Sequence, residues 1–236
     1  MGSFGWALAA FVLIHIGVSA TGARAALVGR LGEGLYRGLF SLISLALLVW
    51  MIVALGAVRA DPFDPLNEAL WAPPAWLRWP GVIVAFVGVA MAVTGVATPG
   101  PTSAGFEKRA LAQAEPARGI HRITRHPFLW GVALWGAGHL MVNGERFALM
   151  LFGALTLMVI LGSRSIDRKG RARDPVGFAG YEDVTSNVPF MAITQGRNRL
   201  RLGEIGWRGL AGLAVALMLA MAHGRLFGAP VISTWP

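Results

Sequence analysis

The chain has 236 residues, of which 55% are hydrophobic and 14% are charged, and its mean hydropathy is +0.58. An ordinary soluble domain has about 25% charged residues, so this composition excludes a soluble protein and indicates a membrane protein. The sequence contains no cysteine, which excludes disulfides, thiolate nucleophiles and cysteine-ligated zinc or iron–sulfur sites.

Six apolar segments follow one another along the chain, and each approaches the length of about 20 residues that a transmembrane helix needs. The fourth is the shortest. We therefore predict an all-α fold, an integral membrane bundle of about six transmembrane helices that forms a single domain over residues 1–236. The predicted spans cover residues 4–20, 38–58, 80–98, 128–142, 147–163 and 206–222.

The first span resembles a signal peptide in one respect, because residues 23–25 (ARA) follow it like a cleavage site. However, no Lys or Arg precedes the span, whereas a signal peptide begins with a positively charged region. The span also contains His15. We expect it to be retained as a transmembrane helix.

The formal net charge of +9 could suggest a nucleic-acid partner, but the positions of the charges argue against one. The connections after spans one, three and five hold 3, 5 and 9 Lys or Arg residues, whereas the other side has only 4. By the positive-inside rule, both termini lie outside, and residues 99–126 and 164–205 are cytoplasmic loops. Anionic lipid head groups suffice as partners for the excess charge, so no nucleic acid is expected.

Two connections carry local signals. The loop at 99–126 is introduced by a TPGP sequence, which stops a helix, and then offers residues 106–119 (FEKRALAQAEPARG) as a short surface helix. On the opposite side, residues 59–79 combine four prolines with three tryptophans. Indole rings prefer the membrane interface, so we expect this segment to lie there.

Ionisable side chains inside membrane spans mark functional sites by default, because their burial is costly. The candidates are His15 in the first span and His139 in the fourth, whereas His223 lies just beyond the sixth span and is interpreted as interfacial. At about 1.5 Å per residue, His15 lies about 16 Å from the outer start of its span and His139 about 17 Å from the inner start of its own. Both depths fall near the midplane of a hydrocarbon layer about 30 Å thick. Two histidines that meet at one depth from opposite sides suit the axial ligands of a haem iron.

The residues around His139 are compatible with a haem site, but they are less specific evidence for it than the depths of the two histidines. Trp135, His139 and Asn143 follow one another at intervals of four residues, so they share one helix face. The two flanking residues could orient the second nitrogen of the imidazole. Gly131 and the other glycines of this helix leave room for a flat group or for another backbone.

A basic cluster precedes the same helix, where the propionates of a haem would need cationic partners. It comprises His121, Arg122, Arg125 and His126. The cluster also fits a positive-inside anchor with Pro127 in the first helical turn. Likewise, the glycines fit close helix packing, and either membrane histidine fits an interhelical hydrogen bond. The residues alone leave these alternatives open.

Three stretches carry a resemblance to a known family: RITRHPFLWG, LWGAGHLMVNGE and SNVPFMAITQGR. Together with the histidine of the first span, they resemble the NnrU family of bacterial membrane proteins over essentially residues 4 to 200. This family is similar to the 15-cis-zeta-carotene isomerases of plants and cyanobacteria. The fixed spacing from RHPxLWG to WxxxHL and NG makes the resemblance specific.

The resemblance implies a haem b protein whose two ligand histidines match His15 and His139 by position. In the isomerase branch, loss of one ligand frees the iron for cis–trans isomerisation of a polyene. The NnrU branch is associated with denitrification, through nitrite and nitric oxide reductase function. The implied partners are the lipid bilayer, a hydrophobic or gaseous small molecule, and a reductase or denitrification proteins. The implied location is the bacterial inner membrane.

A second resemblance belongs to a different class. The RHP sequence at 125–127 and the later FAGYEDVTSNVPF are similar to the membrane methyltransferases of isoprenylcysteine and phospholipid amines. On that alternative the cofactor is S-adenosylmethionine. Its pocket would be lined by Arg125, His126, Asp167, Tyr181 and Glu182. The acidic pair expected there is reduced to one carboxylate in SRSID, which leaves fewer acceptors for the cofactor, so we favour haem.

Overall fold

The computed structural model describes residues 2–19, 21–229 and 231, and their regular structure is helical apart from one isolated bridge between Ala69 and Glu145. The α-helices of the described residues are α1 (Ser3–Leu13), α2 (Gly22–Leu31), α3 (Glu33–Ala60), α4 (Arg78–Ala97), α5 (Glu107–Leu111), α6 (Pro127–Val142), α7 (Arg146–Arg173), α8 (Pro175–Asp183), α9 (Met191–Thr194) and α10 (Leu202–Phe227). A π-helical turn, Ile14–Val18, continues α1. Short 3₁₀ turns lie at Pro65–Asn67, Ala75–Leu77 and Gly119–Arg122.

Four of these helices are long and apolar enough to cross a membrane: α3, α4 with the 3₁₀ turn before it, α7 and α10. A fifth span arises if Ser3–Val18 and α2 count as one, although they meet at an angle of 81°. The remaining predicted span is α6, an apolar helix of 16 residues. The predicted all-α membrane bundle is confirmed, and the predicted number of about six spans is an approximation.

Two predicted boundaries differ from the structure. The fifth predicted span ends at residue 163, but α7 continues to Arg173. Its charged continuation contains strong helix formers, and Asp167 within it is buried, so leaving the membrane does not end the helix. The surface helix predicted over 106–119 is reduced to Glu107–Leu111, because Pro116 disfavours helix in its second half.

Glycines bring the backbones of α4 and α6 into direct contact. A Cβ atom built on Gly131 would lie 2.4 Å from the backbone N of Ala92, and one on Gly138 would lie 2.5 Å from the backbone O of Gly81. Gly88 approaches α6 equally closely. Glycines recur at intervals of seven residues on both helices, so they form one stripe of close approach. Of the two uses that the sequence left open, these glycines serve helix packing.

Substitution of Gly131 by alanine should lower the stability of the bundle. The new methyl group would lie 2.4 Å from the backbone of Ala92, which cannot yield without moving α4 away from α6. Overpacking of this kind costs about 1–3 kcal/mol, so the thermal unfolding midpoint in detergent should fall. Gly153→Ala on α7 is the matched control, because no atom lies within 4 Å of its Cβ position. Equal midpoints for the two variants would contradict the backbone contact.

An apolar cluster holds α1 and the first half of α7 against α3. Its buried members include Leu8 of α1, Met51 of α3 and Phe152 of α7. Val12 of α1 and Trp135 of α6 pack against it. The cluster therefore joins the two chain segments that carry the predicted ligand histidines.

Residues 99–126 and 164–205, the two predicted cytoplasmic loops, pack against each other at one end of the bundle and are named the polar cap. The backbone N of Arg125 donates to the backbone O of Ser186 (2.9 Å), which joins the two loops directly. Side chains add further links between them, as described below.

The connection that follows the first segment lies at the same end. Arg37 of α3 and Arg173 of α7 both pair with Glu107, at 3.7 and 3.0 Å. The Lys169 ammonium group donates to the backbone O of Ser19. The three connections that are richest in Lys and Arg thus lie together at one end of the bundle.

Candidate functional site

His139 lies on α6 between two aromatic rings. Its imidazole stacks on Phe152 of α7, with ring centroids 4.4 Å apart, and contacts Trp135 at 4.9 Å. The Nδ1 atom lies 2.8 Å from the backbone O of Trp135. Because a carbonyl only accepts, Nδ1 carries the proton and the lone pair is left on Nε2. This is the arrangement of a metal-ligating histidine.

The imidazole of His15, like that of His139, binds the backbone carbonyl four residues earlier, but His15 lies in a π-helical turn and not in a regular α-helix. Its Nδ1–H donates to the backbone O of Phe11 (2.7 Å), so the lone pair is again on Nε2. The ring contacts Phe11 and Phe40, at centroid distances of 4.3 and 5.3 Å. It lies in the π-helical turn after α1, and such turns are rare and frequent at functional sites.

The two histidines adjoin one apolar core. Val12, three residues before His15, and Trp135, four residues before His139, both pack against the apolar cluster of α1, α3 and α7. Each imidazole bonds to the carbonyl four residues earlier, so each ring leans toward the N-terminus of its own helix. Within the described residues, no direct ring contact joins the two imidazoles.

His223 of α10, which the sequence marks as an interfacial residue, contacts His139. Its ring centroid lies 6.2 Å from that of His139. Its Nδ1–H donates to the backbone O of Ala229. The sixth predicted span ends at residue 222, but α10 continues to Phe227. This extension brings the imidazole of His223 beside that of His139 on α6.

Asn143 does not orient the imidazole of His139, which differs from the expectation for a shared helix face. Its side-chain amide donates to the backbone O of His139 (2.8 Å), as does its backbone N (3.0 Å). Asn143 therefore caps the end of α6. Trp135 is the neighbour that orients the ring, because it supplies both a ring contact and the acceptor for Nδ1.

Arg125, His126 and Asp167 form a buried cluster in the polar cap. Arg125 donates two hydrogen bonds to Asp167, from Nε to Oδ1 (2.9 Å) and from Nη2 to Oδ2 (2.7 Å). The Nε2–H of His126 donates to Oδ1 (2.7 Å), and Asn187 donates to Oδ2 (3.3 Å). The Asp167 side chain is only 5% exposed. Both carboxylate oxygens of Asp167 therefore already accept hydrogen bonds from other side chains of the protein.

Arg122 forms a second buried cluster. It donates to Glu204 from Nε (2.7 Å) and Nη2 (2.9 Å), and its Nη2 also lies 3.0 Å from Glu115. Asn198 accepts from its Nη1 at 2.8 Å. The Arg122 side chain is 6% exposed, and its four hydrogen bonds join parts of the cap.

The structure places the predicted propionate partners, Arg122, Arg125 and His126, in the polar cap and not beside His139. His126 precedes α6, and the 13 residues from it to His139 correspond to about 20 Å of helix. Arg122 and Arg125 already pair with carboxylates of the cap, and His126 binds the Asp167 carboxylate. Their role in the described structure is to join the loops of the cap.

His121 and Tyr181 are fully buried in the same region. The Tyr181 hydroxyl donates to His121 Nδ1 (3.1 Å), and His121 Nε2–H donates to the backbone O of Thr98 (2.8 Å). The bond from Tyr181 requires a neutral imidazole, because only a deprotonated Nδ1 accepts a hydrogen bond. Burial lowers the pKa of His121 to about 4 and raises the pKa of the Tyr181 phenol, so both groups are uncharged at neutral pH. The pair links α8 to the end of α4.

The five residues of the methyltransferase alternative do come together, but they bind one another. Arg125 contacts both Asp167 and Glu182, the latter at 3.1 Å. His126 shares the Asp167 carboxylate, and Tyr181 is occupied with its histidine partner. A closed network of this kind has few remaining acceptors for S-adenosylmethionine.

Asp167→Asn should destabilise the polar cap strongly. The variant leaves the buried Arg125 with Glu182, at 3.1 Å, as its carboxylate partner among the described residues, and breaking a buried ion pair from one side costs up to about 3–5 kcal/mol. Glu68→Gln is the control, because the Glu68 side chain that pairs with Arg146 is 60% exposed. Loss of an exposed pair should cost less than about 1 kcal/mol. Unfolding in mixed micelles measures both, and equal losses of free energy would refute a structural role for the cluster.

The fold and these sites define a multi-pass helical membrane protein with aromatic-flanked histidines inside the bundle and a closed polar cap at one end. The chain belongs to the NnrU family, because the family model described as NnrU protein matches residues 4–231. The match includes the membrane histidines and the whole cap.

Two curated relatives of the chain are chloroplastic 15-cis-zeta-carotene isomerases. The Zea mays protein is 28% identical over 195 residues, which cover 80% of this chain and 50% of the relative. The Arabidopsis thaliana protein is 30% identical over 114 residues, which cover 48% of this chain and 30% of the relative. The chain therefore spans half or less of their length. Neither is a methyltransferase, so that alternative gains no support.

No solved structure matches the chain.

Proposed function

We propose that this protein is an isomerase-like membrane protein that binds haem b through His15 and His139 and acts on a polyene. Membership of the NnrU family and the two isomerase relatives support the class of activity. The observation that carries the haem assignment is the shared tautomer of the two histidines. Both bind a backbone carbonyl through Nδ1–H and keep the lone pair on Nε2 within the apolar bundle.

The surroundings of the two imidazoles fit a haem. Aromatic side chains flank both rings, so a flat apolar macrocycle would meet apolar walls. Ligation requires a lone pair on the imidazole, and in each residue Nε2 is the nitrogen left for it because Nδ1–H donates to a backbone carbonyl. Among the described residues, no group of three or more His, Cys, Asp or Glu side chains could hold a bare metal ion. A haem needs only two axial ligands from the protein.

The two histidines are held differently by the chain. His139 lies on a regular α-helix whose rotation is fixed by the glycine contact with α4. His15 lies in a π-helical turn before a bend of 81°. We therefore assign His139 as the firmly held residue of the pair and His15 as the residue with more freedom to move. Together they would hold the haem, which would supply a redox-active iron.

The proposed haem contacts are His15, His139 and Trp135. The basic residues of the polar cap are left out because they lie in ion pairs before the start of α6. Asn143 is left out because its amide binds a backbone carbonyl instead of the imidazole.

The purified protein should contain haem b, and His15→Ala and His139→Ala should each lower the bound haem at least tenfold, because each removes a direct ligand. The measurement is the Soret absorbance per chain, before and after dithionite. Asn143→Ala is the matched control on the same helix face, and it should retain haem because its amide binds only backbone.

Full haem content in both histidine variants would overturn the ligand assignment. Loss in His139→Ala and His223→Ala with retention in His15→Ala would move the second ligand to α10, where the imidazole of His223 lies 6.2 Å from that of His139.

Activity on a polyene needs its own assay. A 15-cis polyene is incubated with the haem-loaded protein in micelles, and its isomers are separated by chromatography. Conversion by the unaltered protein and not by His139→Ala would support the isomerase. Haem-loaded protein that leaves the polyene unchanged would reject the polyene and retain the haem site.

Several expectations from the sequence stay predictions. They are the association with denitrification, a gaseous ligand, a reductase partner, and a bacterial inner membrane with both termini in the periplasm. The two relatives are chloroplastic by name, and the structure supports only a multi-pass membrane protein.

A further inference from the structure

A cavity of about 560 Å³ lies between the polar cap and the first turns of α10. Its lining includes Thr98 at the end of α4, Phe106 beside α5, and three arginines, Arg109, Arg118 and Arg208. The residues proposed to bind haem are not part of this lining. We propose that the cavity binds the phosphate group of an anionic lipid, a function that is independent of the proposed haem site.

The three arginines supply charge that the chain does not neutralise. Within the part of the chain that the structure describes, Arg109, Arg118 and Arg208 have no carboxylate within 4.0 Å. Guanidinium groups bind phosphate oxygens in pairs of hydrogen bonds, so a cavity with three of them suits a phosphate.

The two glutamates of the cavity wall do not cancel this charge. Arg122 pairs with Glu115 and Glu204, at 3.0 and 2.7 Å. Arg201 pairs with the same two glutamates, at 3.3 and 3.2 Å. These four side chains form a neutral group, which leaves the cavity with the charge of the three other arginines.

Arg208 also holds a donor that lacks an acceptor. Its Nε atom is buried and makes no hydrogen bond. Its guanidinium group lies over the ring of Trp207, 5.2 Å from the ring centroid. A buried donor without a partner is costly, so an acceptor oxygen in the cavity would relieve a cost that the chain alone leaves in place.

The surface beside the cavity favours a lipid over a soluble phosphate. Trp207 is 67% exposed, and Leu202 and Leu210 on the same helix are each 68% exposed. An exposed tryptophan among exposed leucines is typical of the level where acyl chains meet head groups. A lipid with its phosphate among the arginines could lay its acyl chains on this surface, whereas free phosphate could not use it.

Native mass spectrometry in mixed micelles tests the proposal with phosphatidylglycerol and phosphatidylcholine as probes. The cavity variant carries Arg109→Gln, Arg118→Gln and Arg208→Gln. We expect it to bind phosphatidylglycerol about a hundredfold more weakly than the unaltered protein, since each basic group near an anionic lipid surface contributes a substantial part of the binding. Phosphatidylcholine should bind weakly to both.

The control variant removes the same number of charges from exposed positions outside the cavity. It carries Arg30→Gln, Arg164→Gln and Arg199→Gln. It should bind phosphatidylglycerol within about threefold of the unaltered protein. Equal losses in the two variants would show only general attraction to a basic surface and would overturn the proposed site.

Two further measurements keep the proposal falsifiable. Arg208→Lys keeps the charge and should preserve the fold, but it removes the Nε donor and should weaken phosphatidylglycerol binding about fivefold, the worth of one net hydrogen bond. Unchanged binding in Arg208→Lys would contradict the role of that donor. Displacement of the lipid by millimolar inorganic phosphate would assign the cavity to a soluble phosphate and overturn the lipid source.

Discussion

The backbone contact between α4 and α6 is the constraint on which the rest of the structure depends. A side chain at Gly88, Gly131 or Gly138 would meet main-chain atoms of the opposite helix, so the contact permits one rotation and one height of α6. His126 immediately precedes this helix, and His139 lies one turn from its far end. The same contact therefore positions the polar cap at one end and a membrane histidine near the other.

The cap meets a second physical requirement, which is to hold many cations at the end of an apolar bundle without leaving them buried and unpaired. Arg125 pairs with Asp167 across 42 residues of sequence, and Arg122 pairs with Glu204 across 82. Buried pairs of this type contribute little net stability, but their loss from one side is costly, so they specify one arrangement of the loops. The arginines of the cavity follow the opposite pattern, because no carboxylate of the described residues lies within 4.0 Å of them.

The sequence predicted the helical class, the start of α6 at Pro127 and the presence of two histidines inside the bundle. These features depend on the length of apolar segments and on a proline in the first helical turn, both of which are local in sequence. The burial of Arg122 and Arg125 was not, because their carboxylate partners are distant in sequence and only the tertiary fold brings them together. The contact of His223 with His139 was not predictable for a related reason. The apolar run predicts a span that ends at residue 222, but α10 continues to Phe227, and only the packing of α10 against its neighbours brings the two imidazoles together.

The proposed site requires that His15 and His139 hold one haem b iron from two helices that adjoin the same apolar core. Electron paramagnetic resonance of the oxidised protein, purified from iron-replete cells, tests this requirement directly. The unaltered protein should give a low-spin ferric signal, and the small amount of haem that His15→Ala retains should give a high-spin signal. A folded protein without a haem signal, or a low-spin signal that His15→Ala leaves unchanged, would refute the proposed site.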